Sequence, residues 1–201
     1  LFKRFYRECR GLDLRYFGDR PGVRIEIGSG SGFMKDVLPN VFTSDIKPLP
    51  FVDSIVRAEE LPFADNSLRA VYAINVFHHQ PDPRAFFREL IRVLHPGGGA
   101  VLIEPYHGPV ARVFFARIHA MESFDMNVQD WSAGARSELI TNANQALSYI
   151  VFTRDRDMLG REFPELEVLL DRPHTQLLYI LSGGVNFRQL VPDRLAFAAV
   201  L

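Results

Sequence analysis

Apolar residues recur at spacings of three and four through Phe2, Phe5, Tyr6, Cys9, Leu12 and Tyr16, among charged neighbours. That period predicts an amphipathic helix over residues 2–17, interrupted near Gly11. The period then changes. Val23–Ile27 alternates and is rich in β-branched residues, predicting a short strand that breaks into Gly28-Ser29-Gly30-Ser31-Gly32 and resumes as a helix-like FMKDVLP. VFTSD predicts a second strand, SIVRA a third, and the almost wholly apolar AVYAINVF a fourth, covered on both faces. Pro83 opens a helix, AFFRELIRVL, in which Phe86, Phe87, Leu90, Ile91, Val93 and Leu94 form a broad apolar face. His95-Pro96-Gly97-Gly98-Gly99 ends it, and AVLIE predicts a fifth strand. Strand and helix alternating at this spacing predict an α/β fold with a doubly wound parallel sheet and right-handed crossovers.

Beyond Pro105 the alternation stops. An apolar helix (VARVFFARIHAM), an irregular stretch around Trp131 and a second helical segment (SYIVFTRDRDML) follow. LEVLLDRPHTQLLYILSGG then reads as two strands joined at Arg172-Pro173-His174, an antiparallel hairpin for the sheet edge. The fold class expected is α/β, Rossmann-like and doubly wound, with a mostly parallel sheet, an antiparallel edge hairpin and a small helical cap.

Composition narrows the class. At 201 residues, 47% hydrophobic and 23% charged, the chain is expected to build one globular core with an elaboration. Twenty-three basic against 24 acidic side chains give a formal charge of -1, with no broad cationic field for nucleic acid. Cys9 is the single cysteine, which excludes an internal disulfide, a cysteine zinc cluster and a Cys-x-x-Cys redox pair. No apolar run approaches the ~20 residues that cross a bilayer, and the first residues are too charged for a signal peptide. A cytoplasmic protein without an integral membrane span is expected. The start at Leu1 and the apolar end AFAAVL point to a piece of a longer polypeptide.

The chemistry lies in Glu26-Ile27-Gly28-Ser29-Gly30-Ser31-Gly32, an acid at a strand end followed by glycines at every second position. Glycines there let the backbone approach a ligand closely, and the N–H groups that follow favour an anionic or polar cofactor. Dinucleotide binding asks for G-x-G-x-x-G, and Phe33 stands where the third glycine or alanine belongs, which counts against a nicotinamide-dependent oxidoreductase. Asp45, at the end of the next strand, is placed to accept hydrogen bonds from both hydroxyls of a ribose.

Four motifs in register resemble the class I S-adenosylmethionine-dependent methyltransferases, in particular the small-molecule group that includes the ubiquinone and menaquinone biosynthesis enzymes. They are EIGSGSG, TSD, RAEELPFADNSLRAVYAINVFHH and FFRELIRVLHPGGGAVLIEP, together spanning residues 23 to 105. The resemblance implies that Glu26, Gly28, Ser29, Gly30 and Gly32 line the methionine and ribose side, Asp45 holds the ribose hydroxyls and Ile46 packs on the adenine. Arg57 stands where the family usually has an acid, so Ala58 would offer its backbone N–H to the adenine and Glu59 would replace the carboxylate. Asn75 and Val76 would face the cofactor beside the substrate. The cofactor implied is S-adenosylmethionine, with S-adenosylhomocysteine as product. No metal ligand set is expected.

If the acceptor is a hydroxyl or an amine, a base must take its proton, and His78 and His79 after the fourth strand are the candidates by position. A histidine at a strand end also commonly just bonds a backbone carbonyl. Tyr106 and His107, after the fifth strand, and Trp131, with Phe124 and Met126 near it, are candidates for the substrate side. The expected division is 1–20 helical cover, 21–105 cofactor-binding core, 106–162 helical substrate or lid insertion, 163–185 edge hairpin and 186–201 an incomplete C-terminal segment. The apolar content of the second half favours a small, partly apolar acceptor over a nucleic acid. The competing readings are a non-catalytic cofactor-binding or interaction module on the same fold, and a methyltransferase acting on RNA or protein.

Overall fold

The computed structural model describes residues 2–18, 21–30, 32–105, 108, 123–132 and 143–172. Helix α1 (Phe2–Phe17) runs without the interruption expected at Gly11. That glycine is exposed and a Cβ there would meet nothing within 4 Å. It weakens the helix by about 1 kcal/mol relative to alanine but gives the chain no cause to turn. Arg10 Nη1 donates to Val37 O at 2.9 Å, and buried Asp13 pairs with Arg24 Nε at 3.0 Å, which fixes α1 to the sheet.

Strands β1 (Val23–Ile27), β2 (Val41–Asp45), β3 (Ser54–Ile55), β4 (Leu68–Ile74) and β5 (Leu94–Ile103) form one parallel sheet in the order β3-β2-β1-β4-β5. The strand order reverses between β1 and β4, and the carboxyl ends at such a reversal are where doubly wound sheets bind ligands. All seven residues of β4 are buried: the apolar AVYAI, covered on both faces, and ahead of it Arg69, whose Nη1 donates to Gly97 O. One face of the sheet carries Ile25, Ile27 and Val71 against Phe86, Phe87, Leu90 and Val93 of α2 (Pro83–Val93). The other carries Tyr72, Ile74 and Val101 against Tyr6 and Cys9 of α1. Helix α2 starts as expected, with Pro83 in its first turn and Asp82 Oδ1 accepting the Ala85 N–H at 3.0 Å.

Three local expectations are corrected. FMKDVLP makes one 3₁₀ turn, Phe33–Asp36, because Gly32 enters it left-handed at φ 71 and Pro39 bars continuation. The third strand shrinks from SIVRA to Ser54–Ile55. The run His95–Gly99 belongs to β5 instead of a loop: Leu68 pairs with Leu94 and Ala70 with Gly99, so the intervening residues bulge. Gly98 is required there, since a Cβ would sit 2.8 Å from Arg69 O and 3.0 Å from His95 O.

Past β5, Leu147–Tyr149, a π-helical turn Ile150–Arg154 and α3 (Arg156–Glu162) extend the layer over α2. Residues 166–172 form no strand, and the rest of the expected edge hairpin lies outside the described residues, as do VARVFFARIHAM and residues 186–201. Among the described residues no helix is long and apolar enough to cross a membrane.

Candidate functional site

The carboxyl ends of β1, β2 and β4 bring Gly28 to Val76 and Gly30 to Asp45. Gly28 and Gly30 adopt φ of 64° and 53°, the left-handed region that favours glycine. At Gly28 the need is doubled, because a Cβ would lie 2.4 Å from Val76 Cγ2. The loop after β1 therefore rests directly on the residue that follows β4 by two positions.

Glu26 is 1% exposed and its Oε2 has no hydrogen-bond partner among the described residues. Burial pushes its carboxyl up to about 8, the nearby Ser29 hydroxyl opposing and the Asp45 charge adding to the rise. A buried acid short of a partner at the head of a crevice is a place for a donor, best a cationic one. Ser29, by contrast, is occupied: its hydroxyl donates to Glu26 O at 3.1 Å and accepts from Ser44 N at 3.2 Å. Its work is to tie the loop to β2.

Asp45 ends β2, with Oδ2 accepting the Gly30 N–H at 3.1 Å and Oδ1 the Lys47 N–H at 3.0 Å. Ile46 beside it is 39% exposed, an apolar surface for a flat ring. Gly32, also left-handed, sits against Phe51, whose carbonyl would lie 2.8 Å from a Cβ. Ala58 is buried in the core, while Arg57 Nη2 lies 3.6 Å from Glu59 Oε1 in an ion pair. Asn75 takes the left-handed φ of 54° that turns the chain out of β4, a conformation asparagine tolerates better than most residues, and its N–H donates to Ile103 O at 2.7 Å.

His78 is buried and His79 half-buried, their rings 4.1 Å apart. His78 Nδ1 lies 2.6 Å from Glu104 Oε2. Glu104, immediately after β5, is the residue the sequence reading passed over. The signal available was an acid at a strand end, the same placement that marks Glu26 and Asp45. Trp131 sits 2% exposed in the layer over α2, donating Nε1–H to Asp155 Oδ2 at 2.8 Å, with the Arg84 guanidinium 4.5 Å above its ring. It is placed as a packing residue. Tyr106 and His107 lie outside the described residues. An open cavity of about 400 Å³, lined by Arg88, Ile91, Glu162, Phe163 and Glu165, includes none of these groups. Among the described residues no cluster of His, Cys, Asp and Glu is arranged to hold a metal ion.

Residues 25–102 match the family model described as a methyltransferase domain. Together with the glycine loop and the strand-end acids, that decides the class. Residues 25–102 are an S-adenosylmethionine-dependent methyltransferase domain of class I. Protein YafE of Escherichia coli strain K12 is 32% identical over 109 residues, 53% of this chain and 50% of YafE. Cycloartenol-C-24-methyltransferase 1 of Oryza sativa subsp. japonica is 50% identical over 38 residues, 19% of this chain and 11% of that enzyme. The matches thus span no more than half the length of these relatives. A Thermotoga maritima crystal structure, described as a S-adenosylmethionine-dependent methyltransferase and possible histamine N-methyltransferase, superposes with a TM-score of 0.50 at 17% identity, over 80% of this chain and 78% of that one. It shares the fold.

The methyltransferase domain's residues fit its cofactor. The open space beside Gly30 leaves room for close approach, Glu26 Oε2, without a partner among the described residues, suits the amino group of the methionine moiety, and Asp45 is at hand for the ribose.

Proposed function

We propose that this chain is part of an enzyme that transfers the methyl group of S-adenosylmethionine to a small, partly apolar molecule in the cytoplasm. The observation that carries the reading is Glu26 Oε2, buried and without a partner among the described residues, beside a loop whose backbone admits no side chain at Gly28. A buried acid of this kind is costly unless a ligand completes it.

When bound, the cofactor supplies an electrophilic methyl on a cationic sulfur. The protein's task is to hold it and an acceptor in line. In this reading Glu26 accepts from the amino group, Asp45 accepts from the ribose hydroxyls, and Ile46 and the Ala58 backbone flank the adenine. Glu59, drawn toward Arg57, supplies the acid of that turn. A hydroxyl or amine acceptor gives up its proton to the His78–His79 pair after β4, the nearest basic groups to the crevice by chain position. The acceptor itself is taken to be recognised by residues 106–162, with Tyr106 and His107 at the mouth. The name of the similar plant enzyme, a sterol-type methyltransferase, is in keeping with an apolar acceptor.

Calorimetric titration with S-adenosylmethionine and S-adenosylhomocysteine, with a nicotinamide dinucleotide as control, tests the reading. Binding of the first two and not the third is expected. Absence of both would overturn it. With binding in hand, release of S-adenosylhomocysteine in the presence of lipid and quinone-precursor acceptors tests the chemistry.

A further inference from the structure

We propose that Glu104 is a positioning residue: its carboxylate fixes the turn after β4 and holds the His78 ring with a proton on Nδ1, so that Nε2 is the nitrogen with a basic lone pair. This rests on the reading above that the ends of β4 and β5 face the acceptor.

The side chain of Glu104 is 6% exposed. Its Oε1 accepts the Val76 N–H at 2.9 Å and the Phe77 N–H at 2.7 Å. Its Oε2 accepts the His78 N–H at 3.2 Å and lies 2.6 Å from His78 Nδ1. Each carboxylate oxygen has two lone-pair sites, and these contacts bring two nitrogens to each. Every partner must be a donor, because an imidazole lone pair pointed at Oε2 would set acceptor against acceptor. Nδ1 therefore carries hydrogen whether the ring is neutral or charged. In a neutral ring that leaves the lone pair on Nε2, the arrangement in which a carboxylate behind a histidine keeps it in the tautomer that can take a proton.

The same carboxylate reaches the cofactor loop. Glu104 holds the Val76 amide, and Val76 is the side chain against which Gly28 closes. One buried acid thus sets both the histidine after β4 and the wall of the glycine loop. Charge-assisted bonds from a carboxylate to backbone N–H groups are stronger than neutral ones, so an amide of the same shape is a poor substitute.

The test uses the full chain labelled with ¹⁵N-histidine, with His78 assigned by comparison with His78→Gln. Long-range ¹H–¹⁵N spectra at neutral pH report which ring nitrogen is protonated. In the wild type, Nδ1 of His78 is expected to be protonated. In Glu104→Gln the amide oxygen is claimed by the backbone N–H groups and its NH₂ faces Nδ1, so the proton is expected to move to Nε2. A wild-type ring protonated on Nε2 alone overturns the proposal without any variant, which covers a variant that does not fold. An unchanged tautomer in folded Glu104→Gln overturns it too. S-adenosylhomocysteine titrated into the same samples is expected to bind about tenfold more weakly to Glu104→Gln; equal affinity overturns the link to the cofactor loop. A wild type that binds no S-adenosylhomocysteine refutes the methyltransferase reading instead, and the tautomer still decides what Glu104 does.

Discussion

Gly28 and Val76 touch so closely that a Cβ on the glycine would lie 2.4 Å from Val76 Cγ2. This contact joins the first loop of the sheet to the end of β4, across the point where strand order reverses. Gly28→Ala imposes two penalties: a left-handed φ of 64° on a residue with a Cβ, worth about 1–2 kcal/mol, and displacement of Val76. S-adenosylhomocysteine affinity is expected to fall more than about tenfold, with a lower urea midpoint. Adding Val76→Ala should recover the part due to displacement and leave the φ part, and a double-mutant cycle by calorimetry separates the two.

Asp45 makes a narrower prediction. Its carboxylate already accepts from Gly30 and Lys47 N–H groups, so it is held in place before any ligand arrives. Asp45→Ala removes a charged acceptor from ribose and should weaken S-adenosylhomocysteine binding by about 1.5–3 kcal/mol, with Asp45→Asn losing less. Titrations that give wild-type affinity for Asp45→Ala would remove the ribose role.

Strands β1, β2 and β4 and helix α2 were legible because burial on one face or both writes itself into the period of apolar residues. The glycine loop was legible because close approach of backbone leaves no other residue possible at Gly28. What the chain pattern hid depended on contacts far away in sequence. His95–Gly99 reads as a loop until Arg69 is seen to fill the space a side chain at Gly98 would need. FMKDVLP has helical residues but only one turn, because Gly32 and Pro39 bound it. Glu104 was overlooked since its partners are mostly backbone N–H groups some 26 to 28 residues earlier, which carry no side-chain signature.

Trp131 separates packing from ligand contact. It is the single tryptophan, is 2% exposed, and joins Phe87 at 6.2 Å and the Arg84 guanidinium at 4.5 Å, while Asp155 takes its N–H. Trp131→Ala is expected to cost about 3–5 kcal/mol in urea unfolding, the range for a large core aromatic. S-adenosylhomocysteine affinity of the remaining folded protein should stay within about twofold, as distant sites behave independently. A large loss of affinity with little loss of stability would return Trp131 to the ligand side.

Glu26 makes the site sensitive to pH in two opposite ways. Its carboxyl titrates near 4.5 ordinarily and at about 8 in the folded protein, so between these values the folded state holds a proton that the unfolded chain has released. The stability this contributes is complete below about pH 4.5 and is lost as pH rises through about 8. Binding of a cationic amine against Oε2 favours the ionised acid, so it expels that proton. S-adenosylhomocysteine affinity should therefore rise between about pH 6 and 8, by at most about tenfold per unit, and then level off. Calorimetry near pH 7 in two buffers of different ionisation enthalpy should register release of about one proton, by the same linkage. In Glu26→Gln the release should vanish and the affinity become flat and lower, because the amide cannot ionise. A wild type that binds without releasing a proton would show that the amino group does not meet Glu26, and would move the orphaned Oε2 out of the cofactor site.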